Sequence, residues 1–310
     1  MDVKELINDP GIWGGQNRPS LKMDEADVLV FSIPYDGGVA FRSGAKEAPK
    51  ALREITYTIA PTTEDFESFD GLKVVDIGDV SGSNRAEMFD EAEKTAYEAV
   101  KNGKFFTMIG GDHSVTIPIQ KGIDNALDEP FGIIHIDAHF DLCDELNDDK
   151  LSHGSTERRA LELNNISGPE NLFFIGIRSI EDDEFDFFQN NNVACVTAKS
   201  IFENGVDEAI TKVKEHFKDY NKIYLTVDID CLDPAYAPGT GTPKFGGLAS
   251  RELLKLLRGI FDLPIIGMDV VEIAPSLDDS IISVFAGLRI ITECWGHNMR
   301  KLGRLKSIPK

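Results

Sequence analysis

The chain has 310 residues with 42% apolar and 27% charged side chains, enough to bury a sizeable core. Its formal net charge of −21 and pI of about 4.6 argue against a general nucleic-acid binder, which needs basic stripes to neutralise phosphate. The same acidic field favours approach of small cations.

The opening MDVKELINDP has no basic region followed by an apolar core, so no signal peptide is expected. No run approaches the ~20 apolar residues of a membrane span. Cys143, Cys195, Cys231 and Cys294 are scattered without CxxC spacing and fit reduced thiols in a cytoplasmic protein. In chain order, DVLVFSI (27–33) reads as a strand and GAKEAPKALREI (44–55) as a helix started or broken near Pro49. KVVDIGD (73–79) is a strand, followed by a helix over 86–103 that ends at Gly103. Then come KFFTMIG (104–110), a helix from Ser114, and FGIIHID (131–137). Further strands are NLFFIGI (171–177), VACVT (193–197), KIYLTVDID (222–230) and LPIIGMDVVEI (263–273). Helices are predicted at 203–218, 249–259 and 278–300. Strands alternating with helices imply βαβ units and a mostly parallel sheet covered on both faces. No linker, repeat or low-complexity tract divides the chain, so one domain over 1–310 is expected.

Several strands end in polar residues: MIGGDHS, IHIDAHFD, LTVDID and MDVVE. Ligands of open parallel sheets bind at the carboxyl ends of the strands. In DAHFD an extended chain would send Asp137, His139 and Asp141 to one face. His113 follows two glycines, and Asp228 and Asp230 share a face at another strand end. Six oxygen and imidazole donors, with no thiolate, are too many for one tetrahedral zinc. They suit two ions sharing carboxylates, and the mixture of carboxylate and imidazole favours Mn²⁺. Four aspartates would balance two divalent charges, and such a pair acidifies water.

The chain resembles the ureohydrolase (arginase/agmatinase) family over nearly its whole length, most closely its agmatinase-like members. The matching stretches are PYDGGVAFRSGAKEAP (34–49), GGDHS (110–114), DAHFD (137–141), SHG (152–154), DIDCLDPAYAPGTGTP (228–243) and MDVVEIAP (268–275). The resemblance implies a three-layer α/β/α sandwich, two Mn²⁺ per chain and assembly as a homotrimer or homohexamer. It implies His113 and Asp141 as ligands of one ion, His139 and Asp230 of the other, and Asp137 and Asp228 as bridges. It makes His153 a proton shuttle and Glu272 the partner of the substrate guanidinium, with Asp141 passing a proton to the leaving amine. The implied reaction cleaves a small cationic guanidino substrate to urea and an amine, agmatine to putrescine first. The alternatives are 4-guanidinobutyrate or 3-guanidinopropionate, then a fold-related amide deacylase or an inactive regulatory homologue. Cys143 stands where arginases carry an asparagine that reads an amino-acid head group, which disfavours L-arginine. Arg158, Arg159 and Arg178 are the candidates for an acidic substrate tail; the acidic stretches 143–149 and 182–186 favour a cationic one.

Overall fold

A computed structural model describes residues 1–307. Eight strands form one parallel sheet: β1 (Val28–Ser32), β2 (Val74–Asp79), β3 (Phe105–Ile109), β4 (Gly132–Ile136), β5 (Leu172–Ile177), β6 (Ala194–Thr197), β7 (Ile223–Asp228) and β8 (Ile265–Val271). Their order is β2-β1-β3-β8-β7-β4-β5-β6. Every residue of β1, β3, β4, β5 and β7 is buried, because helices cover both faces and leave none for solvent. The edge strands β2 and β6 are partly exposed.

Alternate residues of each strand serve two separate cores. Val28 and Val30 belong to the core that also takes in the helices Ala48–Ile55, Val206–His216, Ser250–Ile260 and Ile282–Lys301. Leu29 and Phe31 pack on the other side with Arg85–Lys101 and Thr116–Ala126. The molecule is therefore a helix–sheet–helix sandwich, as expected. Each large side chain buried in either core contributes about 1.5–3 kcal/mol.

The helix expected at 203–218 is two helices, Ala198–Asn204 and Val206–His216, because Gly205 breaks the run at φ +88°. A helix at Asp182–Asn190, not foreseen, is closed at its start by Glu184, which accepts the Glu181 N–H at 2.8 Å. The helix expected at 278–300 begins only at Ile282, after a 3₁₀ turn at Pro275–Leu277. A two-residue antiparallel ladder joins Glu67–Ser68 to Lys306–Ser307. No described helix is long and apolar enough to cross a membrane.

The order of strands decides where chemistry can gather. β3, β8, β7 and β4 are adjacent in the middle of the sheet, so the loops leaving their carboxyl ends meet.

Candidate active site

After β3 the backbone passes within van der Waals range of another segment. A Cβ on Gly111 would lie 1.7 Å from the Tyr35 carbonyl oxygen, so no side chain fits there. Asp112 then caps a single 3₁₀ turn at His113–Val115, accepting the Ser114 N–H at 3.0 Å and the Gly38 N–H at 2.7 Å. That turn carries His113.

The loop after β4 corrects the simple alternation expected of DAHFD. The strand stops at Ile136, and Asp137 Oδ1 accepts the His139 N–H at 2.7 Å in a local turn. Asp141 has φ +54°. The three side chains meet because the chain curls round them, not because it stays extended. At the end of β7 Asp228 Oδ1 likewise accepts the Asp230 N–H at 2.7 Å and starts a 3₁₀ turn.

The six residues singled out in the sequence come together. His113 Nδ1 lies 3.0 Å from Asp137 Oδ2, 3.0 Å from Asp141 Oδ2 and 3.4 Å from Asp228 Oδ2. His139 Nδ1 lies 3.2 Å from Asp230 Oδ2 and 3.4 Å from Asp137 Oδ1. Asp137 thus faces both imidazoles, whereas Asp228 approaches only that of His113. His113 Nδ1, Asp137 Oδ2 and Asp230 Oδ2 are buried and lack hydrogen-bond partners. Three orphaned polar atoms buried at the carboxyl ends of the strands need a counter-charge.

The electrostatics point the same way. Burial, then the charges of Asp230 and Asp137, push Asp228 well above the carboxylate range. Burial and Asp137 likewise raise Asp230. Burial opposes a charge on His139, yet Asp230 and Asp137 raise it to about 12. Carboxylates packed this tightly ionise together only around cations, and a divalent ion reverses each of these shifts. His113, Asp137 and Asp141 fit one ion, with His135 in the same group, and Asp137, His139 and Asp230 fit a second. Both groups offer oxygen and imidazole without thiolate, so the residues present suit Mn²⁺.

His153 and Glu272 lie beside this cluster. His153 Nδ1 is 2.9 Å from Glu272 Oε1, which also accepts the His113 N–H at 2.9 Å. Glu272 reaches inward because its backbone is left-handed, φ +62°. Burial would depress His153, but the Glu272 carboxylate raises it to about 9. Its Nε2 accepts the Ala40 N–H at 3.0 Å, so a second proton must displace that bond.

Over residues 26–296 the chain matches the sequence model of the Arginase family. The chain belongs to the arginase family. It is therefore a hydrolase of a guanidino C–N bond. It is 37% identical to the agmatinase of Chromobacterium violaceum over 293 residues, covering 92% of this chain and 88% of that protein. Among solved structures, the proclavaminate amidino hydrolase of Streptomyces clavuligerus superposes with TM-score 0.82 at 34% identity, over 89% of this chain and 93% of that one. A hypothetical agmatinase from Burkholderia thailandensis gives TM-score 0.82 at 29% identity, over 93% of this chain and 90% of that one.

In this arginase-family chain three of the six residues, His139, Asp141 and Asp228, line a cleft of about 100 Å³ together with His153. Cys143, Glu181, Glu184 and Lys244 line its walls. Glu184 is buried and accepts the Leu142 N–H and the Glu181 N–H, both at 2.8 Å, so it pins the loop rather than facing substrate. Glu181 is exposed at the mouth. None of the three arginines proposed for an acidic tail lines the cleft. Arg178 donates to backbone carbonyls, among them those of Asp230 at 2.6 Å and Lys244 at 2.8 Å. Arg159 pairs with Asp144 at 2.9 Å, and Arg158 lies over the Phe187 ring.

Sequence reasoning missed His135. It is wholly buried in β4, stacks on His113 at 5.0 Å, and contacts Asp137 Oδ2 at 3.1 Å and Glu157 Oε1 at 3.0 Å. Gln120 Nε2 donates to the same Glu157 Oε1 at 3.0 Å and to Oε2 at 3.2 Å. The only available signal was its parity with Asp137 in IIHID.

Proposed function

We propose that this chain, one domain over 1–310, is a binuclear manganese amidinohydrolase that converts agmatine to putrescine and urea. The observation that carries the reading is the cluster itself: four aspartates and two histidines with His113 Nδ1, Asp137 Oδ2 and Asp230 Oδ2 buried and unpartnered. In this assignment His113 and Asp141 serve one ion and His139 and Asp230 the other. Asp137 and Asp228 serve both, with the geometry supporting the shared role of Asp137 more directly.

The ions, when bound, would supply an acidified water and a positive field around the oxygen that adds to the guanidinium carbon. The chain's own residues do the rest. Glu272 keeps Oε2 free while Oε1 is held by His113 N–H and His153, so it can take a guanidinium edge and aim its carbon at the cluster. Asp141, lining the cleft, accepts a proton and returns it to the departing amine. His153 stands between Glu272 and the opening, and exchanges protons with solvent once the Ala40 N–H is released.

The cationic tail is supported by the acidic mouth at Glu181 and by the absence of any arginine among the lining residues. Lys244 favours a second reading, in which a carboxylate tail such as that of 4-guanidinobutyrate is held instead. One experiment separates them: urea release from agmatine, 4-guanidinobutyrate, 3-guanidinopropionate and L-arginine, with metal analysis of the manganese-reconstituted protein. Two manganese ions per chain and preference for agmatine are expected. A carboxylate-tailed substrate turned over faster would sink the agmatine assignment, and one ion or none would sink the binuclear one. Assembly as a homotrimer or homohexamer in the cytoplasm is proposed from the family resemblance, and light scattering reads the oligomer.

A further inference from the structure

Behind His113, away from the cleft, a buried hydrogen-bond chain crosses the sheet that the reaction as proposed does not use. Asp269, in β8, is wholly buried. Its Oδ2 accepts the Thr116 hydroxyl at 2.7 Å and the Tyr224 hydroxyl at 2.6 Å. Its Oδ1 accepts the Thr226 hydroxyl at 2.6 Å and the Val227 N–H at 3.3 Å. Thr226 and Asp269 are register partners across β7 and β8.

A threonine hydroxyl has one proton. With that proton directed to Asp269, Thr226 Oγ1 has only lone pairs for its other neighbour, His113 Nε2, at 2.7 Å. His113 must then donate from Nε2 and keep a lone pair on Nδ1. Nδ1 is the atom that faces Asp137, Asp141 and Asp228 and makes no hydrogen bond. Thr116, from the helix that follows His113 in the chain, ties the same carboxylate to the segment bearing the imidazole.

We propose that Thr226 and Asp269 are positioning residues: a hydroxyl relay that fixes His113 in its Nε2–H form and aims Nδ1 at a divalent cation. The inference rests on the metal-pair reading above. A partner that orients a ligating histidine through its second nitrogen is a general requirement of tight metal sites. Here the partner is a hydroxyl, and the carboxylate acts one atom further back.

The test uses the full-length enzyme stripped of metal and titrated with Mn²⁺ against a chelator of known affinity. Thr226→Val keeps the branched shape and removes the hydroxyl. It should weaken one of the two ions by about 10–100-fold. Thr226→Ser restores the hydroxyl and should recover most of that loss, while melting of the metal-free proteins tracks stability separately. Adding Thr226→Val to His113→Ala should cost little more affinity than His113→Ala alone, because both act through one ligand. Thr226→Val loading both ions like wild type overturns the relay and leaves the metal pair intact. Equal losses in the Val and Ser variants also overturn it, since packing and not the hydroxyl is then at work. Wild type that takes up no Mn²⁺ removes the metal reading itself, and the relay with it.

Discussion

Glu272→Gln isolates the guanidinium anchor. The carboxylate oxygen Oε1 is held at 2.9 Å by the His113 N–H and at 2.9 Å by His153 Nδ1, and a glutamine carbonyl can keep both bonds. The loop should therefore stay in place, with melting temperature near wild type. The change falls on Oε2, which becomes an NH₂ group aimed at the donors of a guanidinium. A charge-assisted bond is worth about 1.5–3 kcal/mol, and leaving one member of a desolvated pair alone raises the cost to about 3–4 kcal/mol. That corresponds to a fall in kcat/KM of roughly a hundredfold to a thousandfold. Urea release from agmatine measures it, with manganese content determined on the same preparations. Near-normal kcat/KM would refute the anchor, and loss of manganese would make Glu272 a ligand instead.

Three further outcomes test the frame around the site. Arg53 is wholly buried and pairs with Asp76 at 2.8 Å, so Arg53→Leu strands a buried carboxylate and should cost about 3–5 kcal/mol in urea denaturation; an unchanged midpoint would mean that Asp76 finds another donor. Gly111→Ala drives a methyl group into the Tyr35 carbonyl and should cost more than about 4 kcal/mol, with loss of manganese, whereas a stable, metal-replete variant would show that this loop can yield. His297 is buried and accepts an Arg300 N–H at 3.0 Å; burial, with the Arg300 and Arg258 charges, holds it down to about 4. The unfolded chain, titrating near 6.5, then binds more protons than the folded one between pH 6.5 and 4. Stability from this group is full above about 6.5 and should fall by about 1.4 kcal/mol per pH unit below it. Metal-free melting curves of wild type and His297→Gln that stay parallel from pH 7 to 4.5 would contradict this.

All eight main strands were legible as short apolar runs between turn residues, and the six candidate ligands stood out because charge at strand ends is costly without a partner. What stayed hidden was geometry that residue type does not announce. Asp141 and Glu272 adopt left-handed backbone without being glycine, so the side chains meet by a curled loop that strand alternation does not describe. His135, Thr226 and Asp269 sit inside strands, where a polar letter among Ile and Val reads as an interruption until its partner across the sheet is known. By composition the acidic stretch 182–186 only favours a cationic substrate tail. It is a helix whose buried Glu184 ties down the loop after the cluster. Arg178 looked available for a substrate and is occupied by backbone carbonyls.

The last main strand in the chain, β8, is not at an edge; it lies between β3 and β7. Before Ile265–Val271 has emerged, the native pairings open to the chain are those of two half-sheets, β2-β1-β3 and β7-β4-β5-β6, with no strand to join them. His113 belongs to one half, and Asp137, His139, Asp228 and Asp230 to the other. Until the gap is filled, each half presents a bare, apolar strand edge, a hazard for association with other chains. Insertion of β8 closes both edges, registers the two halves, and delivers Glu272 at its end. Newly made protein thus lacks the complete cluster: His113 and Glu272 are held beside Asp137, His139, Asp228 and Asp230 only by the keystone strand.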